Sequence, residues 1–446
     1  MSAMPTPTTV EQTRGPLVVR SLNKCGALLE KRGLKWGRWS PTELIEIAKY
    51  RCGIDDFGGG EFVEPLSRLL ESCQREAHLN VAGKLAVRAD VVRTLCNRLL
   101  MQRDRQLLPE IVNQQIRYPV FIVGLPRSGT TLLHTLLAAD PDHRAPLCWE
   151  VMWPSPPGKN HARQRIRRAR RSLASLRWLA PTFDHVHAIG AELPQECVSL
   201  MTPSFLSDQF DTMYNVPSYR SWFLEQDLQP AYQFHRRFLQ HLQQRKKALR
   251  WILKAPTHLF ALPTLLSIYP DARFVQTHRE PTEAIASVSS LITILRRIFS
   301  DDVDPRKVAR EAWQYWAETM AKFLRDRDRY LPPERICDLK YSDIRRDPMD
   351  AVRNIYAHFG WRLSAATEQC IEKSLRNQPR QRNGFHRYRP SQFELDMMER
   401  EDFGPYCARF GLFPLREEEL AKMERWPKPE AASLPINRSD AGMTFH

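Results

Sequence analysis

Between residues 40 and 108 the apolar positions recur at intervals of three and four, and from residue 118 onward they gather into short continuous runs. The first pattern is that of helices packed by one face. Ser40-Pro41-Thr42-Glu43 is a capping box with proline at the first helical position, and Gly53 stops the helix that it opens. A second helix places Leu66, Leu69, Leu70, Cys73 and Ala77 on one face. A third, from about Lys84 to Leu108, carries Leu85, Ala89, Val92, Cys96 and Leu99 at the same spacing. No strand pattern interrupts them. Residues 21–117 are therefore expected to form a helical accessory lobe, after a flexible, Thr- and Pro-rich N-terminus at 1–20.

The pattern changes at Tyr118. Val120-Phe121-Ile122-Val123 is a β-branched and aromatic run ending in Gly124, followed by a Gly/Ser/Thr turn and an apolar helix from Thr130 to Ala139. Three similar units follow. The strand Trp251–Leu253 leads to a helix near 258–268, Ala272–Thr277 to one from Pro281 to about Phe299, and Arg335–Tyr341 to one from Pro348 to Phe359. Such alternation predicts an α/β fold, a parallel sheet with helices on both faces. It would occupy 118–426, with a flexible tail at 427–446.

Charge widens the choice of partners without making it. The chain holds 66 Lys and Arg against 51 Asp and Glu, a net +15. That suits nucleic acid, membrane headgroups or phosphorylated small molecules alike. The densest run is Arg163–Arg171, six arginines in nine residues. Ile166, Ala169, Leu173, Leu176 and Leu179 recur beside it at helical spacing. They predict a solvated helix face over an apolar stripe, the other reading being peripheral contact with an anionic membrane. Nine scattered cysteines with no C-x-x-C pair, no apolar leader and no long uncharged apolar stretch predict a soluble cytoplasmic protein with reduced thiols.

The strand-turn-helix unit at 120–139 carries the chemistry. In Gly124-Leu125-Pro126-Arg127-Ser128-Gly129-Thr130-Thr131, glycines allow a tight turn whose N–H groups and helix N-terminus can cradle a phosphate. The Gly-x4-Gly spacing is that of a nucleotide P-loop. However, Thr130 stands where that motif has lysine, the cation has moved to Arg127, and no later strand ends in a magnesium-holding Asp. Pro126-Arg127-Ser128-Gly129-Thr130-Thr131 instead resembles the phosphosulfate loop of the sulfotransferases, in the version of tyrosylprotein and many bacterial members. Arg279, after the strand at 272–277, and Ser287, eight residues on, match the family's Arg-x7-Ser pair. The resemblance implies that this pair holds the 3′-phosphate of the donor 3′-phosphoadenosine 5′-phosphosulfate (PAPS). Tyr341, at the end of the strand from Arg335, is similar to a family tyrosine near the adenine or is simply a strand-end aromatic. Arg382-Asn383-Gly384 and His386-Arg387-Tyr388 stand where relatives close over the 3′-phosphate.

Sulfuryl transfer needs a base for the acceptor's proton and cations facing the charge that builds on the leaving phosphate. The resemblance implies that Arg127 and Lys254 are those cations, Lys254 being similar to the family's strand-end lysine. For the base it offers Glu150 first, in the place of the tyrosylprotein enzymes' glutamate. His258 comes next, although it lies four residues after the lysine where cytosolic relatives have two. Glu196 is third. No metal is expected. The acceptor is expected to be a small-molecule or lipid-like hydroxyl compound, and nucleic acid is not expected as a partner. Phe205, Phe210, Met213, Tyr214, Tyr219, Trp222 and Phe223 form either its apolar wall or ordinary core between the lobes. Two other readings stay open: an atypical P-loop small-molecule kinase and a basic nucleic-acid-binding protein.

Overall fold

The computed structural model describes residues 16–33, 37–156, 161–179, 189–244, 249–377, 393, 395 and 400–412. The segments expected to be flexible at 1–15 and 427–446, and the late basic segment 382–388, lie outside them. Five strands form one sheet: β1 (Val120–Gly124), β2 (His143–Arg144), β3 (Arg250–Lys254), β4 (Arg273–His278) and β5 (Ile336–Lys340). Their order is β2-β3-β1-β4-β5, and every pairing is parallel.

β1, β3, β4 and β5 divide their side chains between two cores. Phe121, Val123, Leu253 and Phe274 enter the larger one, while Val120, Ile122, Ile252 and Val275 enter the smaller one on the opposite face. Both faces are covered, which is why these strands read as unbroken apolar runs rather than as alternation. From β1 the chain runs to β2 at one edge and returns to β3 between the two, then crosses to β4 and β5 on the other side. Such a reversal opens a crevice at the carboxyl ends of the central strands. There Gly124, Lys254 and His278 finish β1, β3 and β4.

Helices α1 (Leu17–Lys31), α2 (Pro41–Cys52), α3 (Val63–Arg75) and α4 (Val81–Leu107) precede the sheet. The cap is as expected: Ser40 Oγ accepts from Glu43 N–H at 3.0 Å, and Gly53 takes a left-handed conformation. Leu66, Leu69, Leu70 and Cys73 are buried in α3. Two expectations need correction. Helix α1 already begins at Leu17, within the stretch read as flexible. In α4 Val92 and Leu99 are buried as expected, but Gly83, Val87, Val91 and Leu95 are buried with them, whereas Leu85 and Ala89 are exposed. Helix contact decides that rotation: a Cβ on Gly83 would lie 2.1 Å from the Phe299 carbonyl oxygen, so only glycine allows α4 this close to the 281–299 helix. The apolar residues of α2–α4 belong to the same core as Phe121 and Leu253.

The arginine-rich helix spans Ala162–Leu179. Ala169 and Leu173 bury its apolar stripe beside Trp149, Arg168 lies 3.4 Å over the Trp153 ring, and Arg163, Arg167, Arg170 and Arg171 face outward. Among the described residues no helix is long and apolar enough to cross a membrane.

Candidate active site

The turn after β1 is held in a shape few side chains tolerate. Gly124 has φ 141°, and a Cβ there would sit 2.5 Å from the Thr277 carbonyl oxygen. Arg127, at φ 67°, occupies the left-handed region without being glycine, and Gly129 follows at φ 94°. A non-glycine residue in that region costs on the order of 1–3 kcal/mol and persists where its surroundings enforce it. Here they do. Ser128 Oγ donates to the Leu125 carbonyl at 2.5 Å and shares a 2.6 Å hydrogen bond with Thr277 Oγ1, tying the turn to β4. Pro126, Ser128 and Thr130 are buried, so Ser128 serves the shape of the loop. Helix α5 (Thr130–Leu137) opens directly from Gly129, and its first N–H groups cap the crevice with partial positive charge.

The cations expected on sequence grounds converge on this turn. Arg127 Nε donates to Ser287 Oγ at 2.9 Å, and Arg279 Nη1 donates to the Arg127 carbonyl at 2.7 Å. Arg279 also pairs with Glu283 at 2.9 Å and lies 4.4 Å over the Tyr341 ring. That ring in turn lies 3.2 Å from where a Gly129 Cβ would stand. Loop, Arg279, Ser287 and Tyr341 thus form one contiguous group, although they come from three strand-to-helix junctions.

Lys254 closes the group on the other side. Its side chain is 3% exposed, and Nζ donates to Thr131 Oγ1 at 3.3 Å and to Glu196 Oε1. Of the three candidate bases, Glu196 is therefore the one in contact with the strand-end lysine. Glu150 is turned elsewhere. One of its oxygens pairs with Arg144 at 2.8 Å and the other accepts from Leu147 N–H at 3.0 Å, at the start of helix Cys148–Met152. Arg144 is itself fixed over Trp251 and on the Leu242 carbonyl. His258 is wholly buried against Phe121, with Nδ1 hydrogen-bonded to the Tyr232 hydroxyl at 2.7 Å. Burial, reinforced by His235, holds its imidazole well below the ordinary histidine range, so it stays neutral.

Glu150 nonetheless bears on Glu196. The strand-like stretch it caps hydrogen-bonds to the segment leading to Glu196, through Cys148 N–H to Leu193 O at 3.0 Å and Gln195 N–H to Pro146 O at 2.8 Å. Glu196 begins helix Cys197–Met201 without capping it, which leaves its carboxylate to Lys254. Sequence reading missed Asp208, whose Oδ2 accepts from Thr257 Oγ1 on the turn just after Lys254. The Thr257 at lysine-plus-three was the available signal. Of the two readings of the aromatic stretch, core is the one observed: Phe205, Phe210, Tyr214, Tyr219 and Phe223 are buried in the main core, with Phe205, Phe210, Tyr219 and Phe223 packed ring on ring.

Comparison with known proteins gives the family and the fold. Residues 119–365 match the model of the sulfotransferase family. Two curated proteins, the omega-hydroxy-beta-dihydromenaquinone-9 sulfotransferases Stf3 of Mycobacterium bovis and Mycobacterium tuberculosis, are each 27% identical over 267 residues, 54% of this chain. The chain spans 62% of their length. Among solved structures, sulfotransferase STF1 from Mycobacterium tuberculosis is 31% identical with TM-score 0.71, covering 81% of this chain and 98% of its own. Sulfotransferase STF9 from Mycobacterium avium is 26% identical with TM-score 0.71, covering 84% and 97%.

Proposed function

The chain belongs to the sulfotransferase family, and from that premise we propose that it moves a sulfuryl group from PAPS to a hydroxyl on a lipid-like acceptor. The observation that carries this reading is Lys254, whose ammonium reaches the first turn of α5 through Thr131 and Glu196 on its other side. One cation thereby links the donor loop to a carboxylate able to take a proton.

The residues fit the donor. The positive-φ turn at 127–129 leaves backbone N–H groups and the start of α5 to receive the phosphosulfate, with Arg127 beside them. Arg279 and Ser287 would take the 3′-phosphate, the guanidinium exchanging its Glu283 contact for phosphate oxygens. Tyr341 would present its ring to the adenine. As the acceptor oxygen bonds to sulfur and the bond from sulfur to the bridging oxygen breaks, Glu196 takes the acceptor's proton. Lys254 turns its hydrogen bonds toward the charge appearing on the leaving phosphate. No step calls for a metal.

For the acceptor, the support is the chemistry named for the Stf3 relatives, an omega-hydroxylated menaquinone. Incubation with PAPS and an ω-hydroxylated isoprenoid quinone should yield its sulfate ester. Sulfation of sugars or peptides with no hydrophobic alcohol accepted would remove the lipid half of the reading. The outward arginines of the 162–179 helix further suit a peripheral contact with anionic lipid, where such acceptors reside. The protein should sediment with anionic vesicles at low salt and be released at high salt or when Arg163, Arg167 and Arg171 are replaced. Equal binding to neutral vesicles, or none to anionic ones, would contradict that contact.

A further inference from the structure

One turn presents two hydroxyl- or ammonium-bearing side chains to two different carboxyls. Lys254 ends β3 and holds Glu196; three residues later Thr257, in the turn Pro256–Phe260, donates to Asp208 Oδ2. Asp208 Oδ1 is buried and has no hydrogen-bond partner among the described residues. An unpartnered buried carboxyl oxygen is expensive for a protein to keep, and such positions concentrate at functional sites. We infer that Asp208 is the second carboxyl of the acceptor site, a positioning residue that sets the basicity of Glu196. The inference rests on Glu196 being the base.

The physical case is electrostatic. A lysine against Glu196 stabilises its charged form and weakens it as a base, so an enzyme that needs a base there gains from a second negative charge nearby. Burial pushes the Asp208 carboxyl up to about 7; the Thr257 hydrogen bond pulls it down, and the charge on Glu196 pushes it up further. The other groups facing it are Asp211 and the phenols of Tyr219, Tyr232 and Tyr315. Asp211 is already compensated by Arg296 at 3.1 Å and Arg220 at 3.6 Å. A negative charge on either carboxyl therefore disfavours ionisation of the other. Above neutral pH Asp208 is ionised and makes Glu196 the stronger base. Below it Asp208 is protonated and that help is lost. When Glu196 takes the acceptor's proton its own charge disappears, the ionised form of Asp208 becomes easier to hold, and the proton leaves to solvent after the ester departs.

The test is the pH dependence of kcat with PAPS and the hydroxyl acceptor that the wild type is found to sulfate. Wild-type kcat should rise through a limb near neutral pH. In Asp208→Asn that limb should vanish and kcat at alkaline pH should fall by roughly tenfold, with PAP affinity unchanged and partial recovery in Asp208→Glu. Thr257→Val removes the hydrogen bond that favours the charged form, so its limb should move to higher pH; it decides the matter if Asp208→Asn does not fold. An unmoved limb in either variant, or a loss confined to KM, overturns the inference. Glu196→Gln separates the two readings. Full rate in that variant sinks the base assignment itself, whereas a dead Glu196→Gln beside an unaltered Asp208→Asn limb sinks the Asp208 role alone.

Discussion

Glu196→Gln should lower the rate of sulfuryl transfer by roughly 10²–10⁴ while PAP binds with near wild-type affinity. The substitution keeps size and hydrogen-bonding shape but removes the carboxylate beside Lys254, the proposed proton acceptor. The donor loop, Arg279 and Ser287 are untouched, so the loss should fall on kcat. Glu150→Gln is the informative partner. Its side chain is 12% exposed and holds Arg144, itself 7% exposed. Removing one member of such a buried pair costs about 3–5 kcal/mol, because the other charge is left uncompensated. That variant should therefore lose thermal stability first, and activity in proportion to unfolding. Full turnover in Glu196→Gln, with a folded but inactive Glu150→Gln, would reverse the assignment.

Arg279→Ala should weaken PAP by on the order of 2–4 kcal/mol, roughly 30- to 1,000-fold, and leave AMP almost unaffected. The guanidinium is 12% exposed and already braced on the Arg127 carbonyl and over Tyr341, so little further ordering is needed when a phosphate arrives. Titration calorimetry of wild type and variant with both nucleotides measures the difference. A wild type that binds PAP and AMP equally would mean that Arg279 and Ser287 do not address the 3′-phosphate.

The fold was largely legible because its signals are local. Strands buried on both faces read as apolar runs, and β1, β3, β4 and β5 emerge within a residue or two of expectation; helix Pro281–Phe299 emerges at its expected bounds. The two-residue β2 carries too little pattern to be read. The turn after β3 was read as one helix, whereas Pro256 and Pro263 divide it into the turn Pro256–Phe260 and helix Leu262–Ile268. The first turns of α4 depart from expectation at Leu85 and Ala89 because Gly83, with no side chain to count as apolar, sets the closest contact. The grouping of loop, Arg279 and Ser287 was legible for the same local reason, since the loop and Arg279 follow strand ends and Ser287 lies on the helix that opens after β4. The acceptor side was not. Lys254 and Glu196 are 58 residues apart, and which of several carboxylates meets the lysine depends on the pairing of 146–149 with 191–195. Nothing in the composition near Glu150 says that Arg144 will claim it.

The most direct measurement is mass spectrometry of the product formed from PAPS and an ω-hydroxylated isoprenoid quinone, run with EDTA present and with ATP and magnesium as the alternative donor. If Arg127, Lys254, Arg279 and backbone N–H groups meet the donor's charge as proposed, the acceptor should become heavier by one sulfuryl group from PAPS, formed equally well in EDTA. An acceptor heavier by one phosphoryl group, made from ATP and abolished by EDTA, would contradict it.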